Sequence, residues 1–251
     1  QRLIEALGTV PREAFVTTKF KGVAYVDEAI PLTGGRYLME PLVTARLIQA
    51  AEPKAQDLAL VIGCGTGSGA AVLSHLAGTV VAVESDGGLA KEANQILSGL
   101  GMDTVAVMEG HLKKGYRKQA PYDVIFFNGA VADVPEAISS QLAEGGRLVA
   151  VVSKDGLGKA RLLTWHHDQV SSREVFDAGT PLLETVTVSY LSTGRDLLRM
   201  DLHENVETSA PVIMAAPEYG AGGDWKALPH TRTEAEALAA LYPEATVHLG
   251  A

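Results

Sequence analysis

The stretch DLALVIGCGTGSGAAVLSHLAGTVVAVESDGG, residues 57–88, constrains the fold more than any other part of the chain. An apolar, β-branched run at 58–62 enters a turn with glycines at positions 63, 65, 67 and 69. Lacking Cβ atoms, such a turn can take positive φ and let the backbone approach a ligand closely. Helix is expected over 70–76 and a second strand over 79–83, which delivers Glu84 at its end. A carboxylate in that place can accept two hydrogen bonds from a ribose diol. Strand, glycine turn, helix, strand and acid together predict a nucleoside pocket on the rim of an α/β sheet.

The alternation continues with a helix over 88–100, strands over 104–108 and 122–128, a helix over 134–143 and a strand over 147–152. Five parallel strands follow from this pattern, in a sheet covered on both faces. The runs ARLLTWHHDQ and SREVFDA, between 160 and 178, have no helix between them and predict an antiparallel hairpin at the sheet edge. Residues 1–50 read as two helices around an irregular middle with a Gly34-Gly35 turn, a helical cap on one side of the pocket. The pattern changes near Glu184, where a domain boundary is expected, giving units 1–183 and 184–251. A helix is expected over 232–241 in the second unit.

With 251 residues and 47% hydrophobic content the chain can bury one full α/β domain and something smaller. The net charge of −9 comes without a long basic run, the densest patch being Lys113-Lys114-Gly115-Tyr116-Arg117-Lys118, which argues against nucleic acid as a partner. One cysteine, Cys64, leaves no disulfide framework and no cysteine-rich zinc site, which fits a reducing compartment. It reads as a small filler between glycines. No apolar run approaches the length of a membrane span. A start at Gln1 without a signal-peptide pattern reads as a fragment of a longer cytoplasmic protein.

Which nucleoside is meant depends on more than the glycines. Residues 65–70 also satisfy a dinucleotide pattern, so NAD is a rival ligand, whereas no Lys-Ser/Thr pair follows and a Walker loop is set aside. The segments APYDVIFFNGA and LAEGGRLVAVV, followed by the hairpin, resemble class I S-adenosylmethionine-dependent methyltransferases. Within that class, residues 2–183 resemble the protein-L-isoaspartate O-methyltransferases, especially the shorter proteobacterial type. RLIEALGTVPREAFV, AYVDEAIPLTGGRYLMEPLVTARLIQA, IGCGTGSGAAVL, VVAVESD, APYDVIFFNGAV, QLAEGGRLVAVV and VFDAGTPLL carry the likeness.

The resemblance implies a Rossmann-like fold with a mostly parallel sheet and an antiparallel edge hairpin. It implies S-adenosyl-L-methionine as cofactor, isoaspartyl residues of proteins or peptides as acceptors, and protein repair in the cytoplasm. It puts Gly63, Gly65 and Gly67 under the amino-acid portion of the cofactor and Glu84, followed by Ser85, at its ribose. Gly110 and His111 fall by the adenine, and Asn128 at its strand end faces the reacting methyl. Asp123 matches a family position too, where fixing the preceding loop and contacting a ligand both stand open. Met39 stands at the position of the family's functional serine, where a thioether cannot donate a hydrogen bond. Arg36, three residues earlier, could instead offer a fork to the isoaspartyl carboxylate of the acceptor, although an arginine after Gly-Gly is more often at the surface.

A carboxyl acceptor with a pKa of about 4 is already ionised at neutral pH, so methyl transfer to it requires no general base. That suits a sequence with few candidate bases: His111 lies in the predicted pocket, while His166 and His167 are neighbours on a predicted edge strand, pointing to opposite faces. Val61 stands where most methyltransferases of this class carry an acid, and Val61→Asp is expected to tighten cofactor binding. Ser68 replaces a frequent tyrosine, and His111 a common aspartate. Residues 184–251 resemble the opening of a CHAT domain, a small C-terminal α/β fragment without that module's catalytic part, since no cysteine follows Cys64. Val61, Met39 and this ending motivate a second reading, a non-catalytic module of the same fold with a regulatory or protein-interaction role.

Overall fold

Seven strands form the central sheet of the chain in a computed structural model that describes residues 1–154, 157–167, 169–179, 212–215 and 246–249. Five of the seven are parallel: β3 (Leu58–Ile62), β4 (Thr79–Glu84), β5 (Val105–Glu109), β6 (Tyr122–Val131) and β7 (Leu142–Lys154). β8 (Leu157–His166) and β9 (Gln169–Asp177) add an antiparallel hairpin, giving the order β5-β4-β3-β6-β7-β8-β9. The Rossmann-like α/β fold expected from the sequence, with its antiparallel edge, is the fold observed.

The period-two geometry of a strand divides the core into two layers. Ala59, Val61, Val80, Ala82, Val124 and Phe126 join one apolar cluster, together with Leu47 of α2 (Pro41–Ala51), Ala71 of α3 (Ser68–Ser74) and Leu97 of α4 (Gly87–Gly99). Leu60, Ile62, Val81, Val83, Ile125 and Phe127 join the other, with Ile138 of α5 (Glu136–Ser139). Near-continuous apolar runs in the sequence thus reflect strands buried on both faces.

Before the sheet, α1 (Arg2–Thr9) and two 3-10 turns (Arg12–Phe15 and Thr18–Val23) lead into a short antiparallel pair, β1 (Ile30–Pro31) and β2 (Tyr37–Leu38), and then α2. Arg147 of β7 fastens the end of α2 to the sheet. Its guanidinium donates to the carbonyls of Ala51 and Glu52, both at 3.0 Å, and to Asp57 at 2.6 Å.

Two local expectations fail for identifiable reasons. The helix expected over 134–143 is only the four-residue α5. Pro135 sets its start, and the Gln141 carbonyl accepts from the Tyr122 amide at 2.8 Å, drawing the chain back into the sheet, where Leu142 registers with Tyr122. The strand carrying His166 is not an edge strand, because β8 lies between β7 and β9. His167 has left it for the turn, with φ of 50°.

The chain divides into two units, Gln1–Ser192 and Thr193–Ala251. In the second, β10 (Val212–Ala215) and β11 (Thr246–Leu249) pair in parallel. The expected boundary near Glu184, the helix over 232–241 and the rest of the CHAT-like segment lie outside the described residues. Among the described residues no helix is long and apolar enough to cross a membrane.

Candidate functional site

Strand order reverses between β3 and β6, with β4 and β5 on one side and β7 onward on the other. In such sheets a crevice opens at the carboxyl ends of the strands where the order turns. The glycine turn leaves β3 at this point. The amides of Gly63 and Cys64 donate to the Val83 carbonyl of β4 at 2.8 and 3.1 Å, so the turn begins as an extension of the sheet. Gly65 at φ 57° and Gly67 at φ 102° then take left-handed conformations that favour glycine. Gly69, in the first turn of α3, meets a different demand: a Cβ there would lie 2.9 Å from both Asn128 Oδ1 and Phe126 Cε1.

Asn128, expected at a strand end but followed in β6 by three more strand residues, is buried and donates from Nδ2 to the Gly63 carbonyl at 3.0 Å. It braces the glycine turn against the neighbouring strand. Thr66 fixes the other side, its hydroxyl donating to the Phe15 carbonyl at 2.7 Å. Asp123 accepts from the Leu58 amide at 2.9 Å, so it braces the start of β3 and not the loop that precedes it in the chain.

Glu84, at the end of β4, has no exposed surface. Arg36 reaches it from the β1–β2 turn in a bidentate pair, Nη1 to Oε1 at 2.7 Å and Nη2 to Oε2 at 3.0 Å. The Gly65 amide donates to Oε2 at 2.7 Å, and the amides of Ser85 and Asp86 donate to Oε1 at 2.7 and 3.1 Å. The Ser85 hydroxyl adds a longer contact at 3.3 Å. These six donors exceed the roughly four lone-pair sites of a carboxylate. Arg36, expected at the surface, is instead 8% exposed.

Gly110 and His111 follow β5, which pairs with β4 so that Glu109 stands opposite Glu84. The Gly110 amide donates to the Glu84 carbonyl at 2.8 Å. His111 is exposed and precedes a short 3-10 turn, and Ser85 is exposed at the rim. The ends of β3, β4, β5 and β6 therefore bring Gly63, Gly65, Gly67, Glu84, Ser85, Gly110, His111 and Asn128 to one side of the sheet. Met39 and Val61 belong to the interior: both are in the apolar cluster, at 2% and 0% exposure.

One residue of this region escaped the reading of the sequence altogether. Arg12 is buried and donates from Nε to the Ala24 carbonyl at 2.6 Å and from Nη2 to the Met39 carbonyl at 2.7 Å. Burial lowers its pKa to about 10, against the pull of Glu40 and Asp27. The only hint is an Arg-Glu pair inside the otherwise apolar VPREAFV. Cys64 has its thiol pushed up to about 12, first by burial and then by the charge of Glu84, with Arg36 opposing. It cannot serve as a nucleophile at neutral pH.

Residues 1–177 match the family model described as protein-L-isoaspartate(D-aspartate) O-methyltransferase (PCMT). The chain is 39% identical over 157 residues to a protein-L-isoaspartate O-methyltransferase of Koribacter versatilis, covering 62% of this chain and 71% of the relative. It is 40% identical over 150 residues to protein-L-isoaspartate O-methyltransferase 1 of Geotalea uraniireducens, covering 60% and 68%. Among solved structures, a protein-L-isoaspartate O-methyltransferase superposes with a TM-score of 0.66 at 26% identity, over 72% of this chain and 61% of that one. The fold is shared, at 16% identity and a TM-score of 0.62, with a Plasmodium falciparum chain described as a β-aspartate methyltransferase in complex with S-adenosyl-L-homocysteine, over 73% of this chain and 90% of that one.

Proposed function

The chain belongs to the protein-L-isoaspartate(D-aspartate) O-methyltransferase family, and on that premise we propose that it methylates the free carboxylate of isoaspartyl residues in proteins or peptides. Its methyl donor is S-adenosyl-L-methionine, whose sulfonium supplies an electrophilic methyl group. The observation that carries the reading is the glycine turn at the β3–β6 switch point, with positive φ and its Gly65 amide tied to Glu84. A backbone with no Cβ at 63, 65 and 67 fits the close approach of an amino-acid portion, and Glu84 at the end of β4 fits a ribose.

In the transfer, an acceptor carboxylate oxygen forms the new O–CH₃ bond as the S–CH₃ bond breaks, and the electron pair of that bond stays on sulfur. The products are a methyl ester and S-adenosylhomocysteine. The acceptor is already an anion, so the chain has no proton to remove. Its residues have positioning to do. Asn128 and Thr66 hold the glycine turn from two sides, and Arg12 holds the backbone of Met39 next to the acceptor side. Correct alignment of two reactants can lower a barrier by roughly 7–11 kcal/mol in favourable cases.

The assay is transfer of tritiated methyl to an isoaspartyl peptide, with the matching aspartyl peptide as control. Label on the isoaspartyl peptide alone is the expected result. Equal labelling of both would leave a methyltransferase of another acceptor, and no label on either would overturn the reading. The enclosure of Glu84 favours the second reading, a non-catalytic module, which the same assay separates.

A further inference from the structure

Three close approaches place the β1–β2 turn, residues 32–36, against the glycine turn and the end of β4. Leu32 Cδ1 lies 3.2 Å from where a Cβ on Gly65 would stand, so an apolar side chain rests on the glycine turn. Asp86 Oδ2 lies 2.9 Å from the corresponding point on Gly34, so the tip of the turn meets the residue two beyond Glu84. Arg36 completes the closure by forking onto both oxygens of Glu84. The turn itself can bend to reach these places because Gly34 and Gly35 both take positive φ, at 66° and 71°.

We propose that Arg36 is an internal competitor for the ribose site: it occupies the acceptor positions of Glu84, and the methyl donor binds only after the 32–36 turn withdraws. This inference rests on the reading of the crevice as a methyl-donor site. A ribose diol offers two O–H donors to the same carboxylate that Arg36 addresses with two N–H donors. Glu84 keeps its backbone donors from Gly65, Ser85 and Asp86 in either case, so exchange of Arg36 for a diol leaves the anion hydrogen-bonded. The charge balance differs, because the diol is neutral. Withdrawal of Arg36 therefore sets a cost on nucleoside binding, and apparent affinity falls by the fraction of molecules in which the turn is open.

Calorimetric titration of S-adenosylhomocysteine into the wild type and Arg36→Gln tests this directly, with circular dichroism as the check on folding. The variant is expected to bind about tenfold or more tightly than the wild type, the effect of removing a charged competitor from the site. Arg36→Lys, which keeps the counter-charge but not the fork, should fall between them and serves if the glutamine variant does not fold. Unchanged or weaker binding by folded variants would overturn the proposal while leaving the methyl-donor site intact. Failure of every form to bind would overturn both. The wild type gives an independent measure by stopped flow: its association rate should level off with ligand concentration, since opening comes first. A rate linear to millimolar ligand would overturn the gate.

Discussion

Val61→Asp sets two demands on one position against each other. In most methyltransferases that the sequence resembles, an acid stands here; in this fold Val61 has no exposed surface and sits on β3 between Ala82 of β4 and Phe126 of β6. Loss of the buried valine side chain costs about 1.5–3 kcal/mol. A carboxyl group left without a partner in its place adds about 1–3 kcal/mol. The sum is a large part of the roughly 5–15 kcal/mol that holds a domain together. Urea unfolding followed by far-ultraviolet circular dichroism reads it. Burial raises the carboxyl pKa of the new aspartate above its unfolded value of about 3.9, so the native state holds the proton in a range where the unfolded chain has released it. The variant's stability is accordingly complete below that unfolded value and falls by about 1.4 kcal/mol per pH unit as pH rises toward the folded pKa. The deficit against wild type should be larger at pH 7 than at pH 5. A variant as stable as wild type at both pH values would refute the placement of Val61 in a dry interior. The expectation of tighter methyl-donor binding is tested on the same sample by calorimetry; unchanged or weaker affinity refutes it.

Gly69→Ala should destabilise by about 1–3 kcal/mol in a thermal melt, because its Cβ meets Asn128 and the Phe126 ring; a more stable variant would mean that helix propensity outweighs that contact. Arg12→Met leaves the carbonyls of Ala24 and Met39 without their donor and should cost roughly 2–4 kcal/mol in urea unfolding, with a raised KM for the peptide as the second readout. Loss of neither stability nor peptide affinity would remove Arg12 as a positioning residue. Cys64, with its thiol near 12 and fully buried, should be inert to an aromatic disulfide reagent at pH 8 in the native protein and react at once in guanidinium. Rapid native reaction would show that the crevice floor opens.

The legible parts of the fold are those in which local pattern and tertiary packing agree. Strands at 58–62, 79–83 and 122–128 were visible because both of their faces are buried, which leaves apolar runs bounded by turns. The hairpin after residue 160 is legible because two strand-like runs follow one another with no room for a crossover helix between them. The helix over 134–143 misled because Gln141 is drawn to Tyr122, a partner 19 residues earlier in the chain that no local window contains.

At the site, sequence by itself determined where the glycines, Glu84 and Asn128 must gather, because a chain bends sharply only where its residues permit and a parallel sheet collects its strand ends on one side. Only the tertiary structure decided what those groups face. Arg36 is 48 positions from Glu84, and Arg12 is 27 from Met39. A buried charge takes whichever partner the fold brings within reach, and that pairing leaves no periodicity to read. The acid that the sequence offered to a ribose is therefore, in the folded chain, already held by the chain's own arginine.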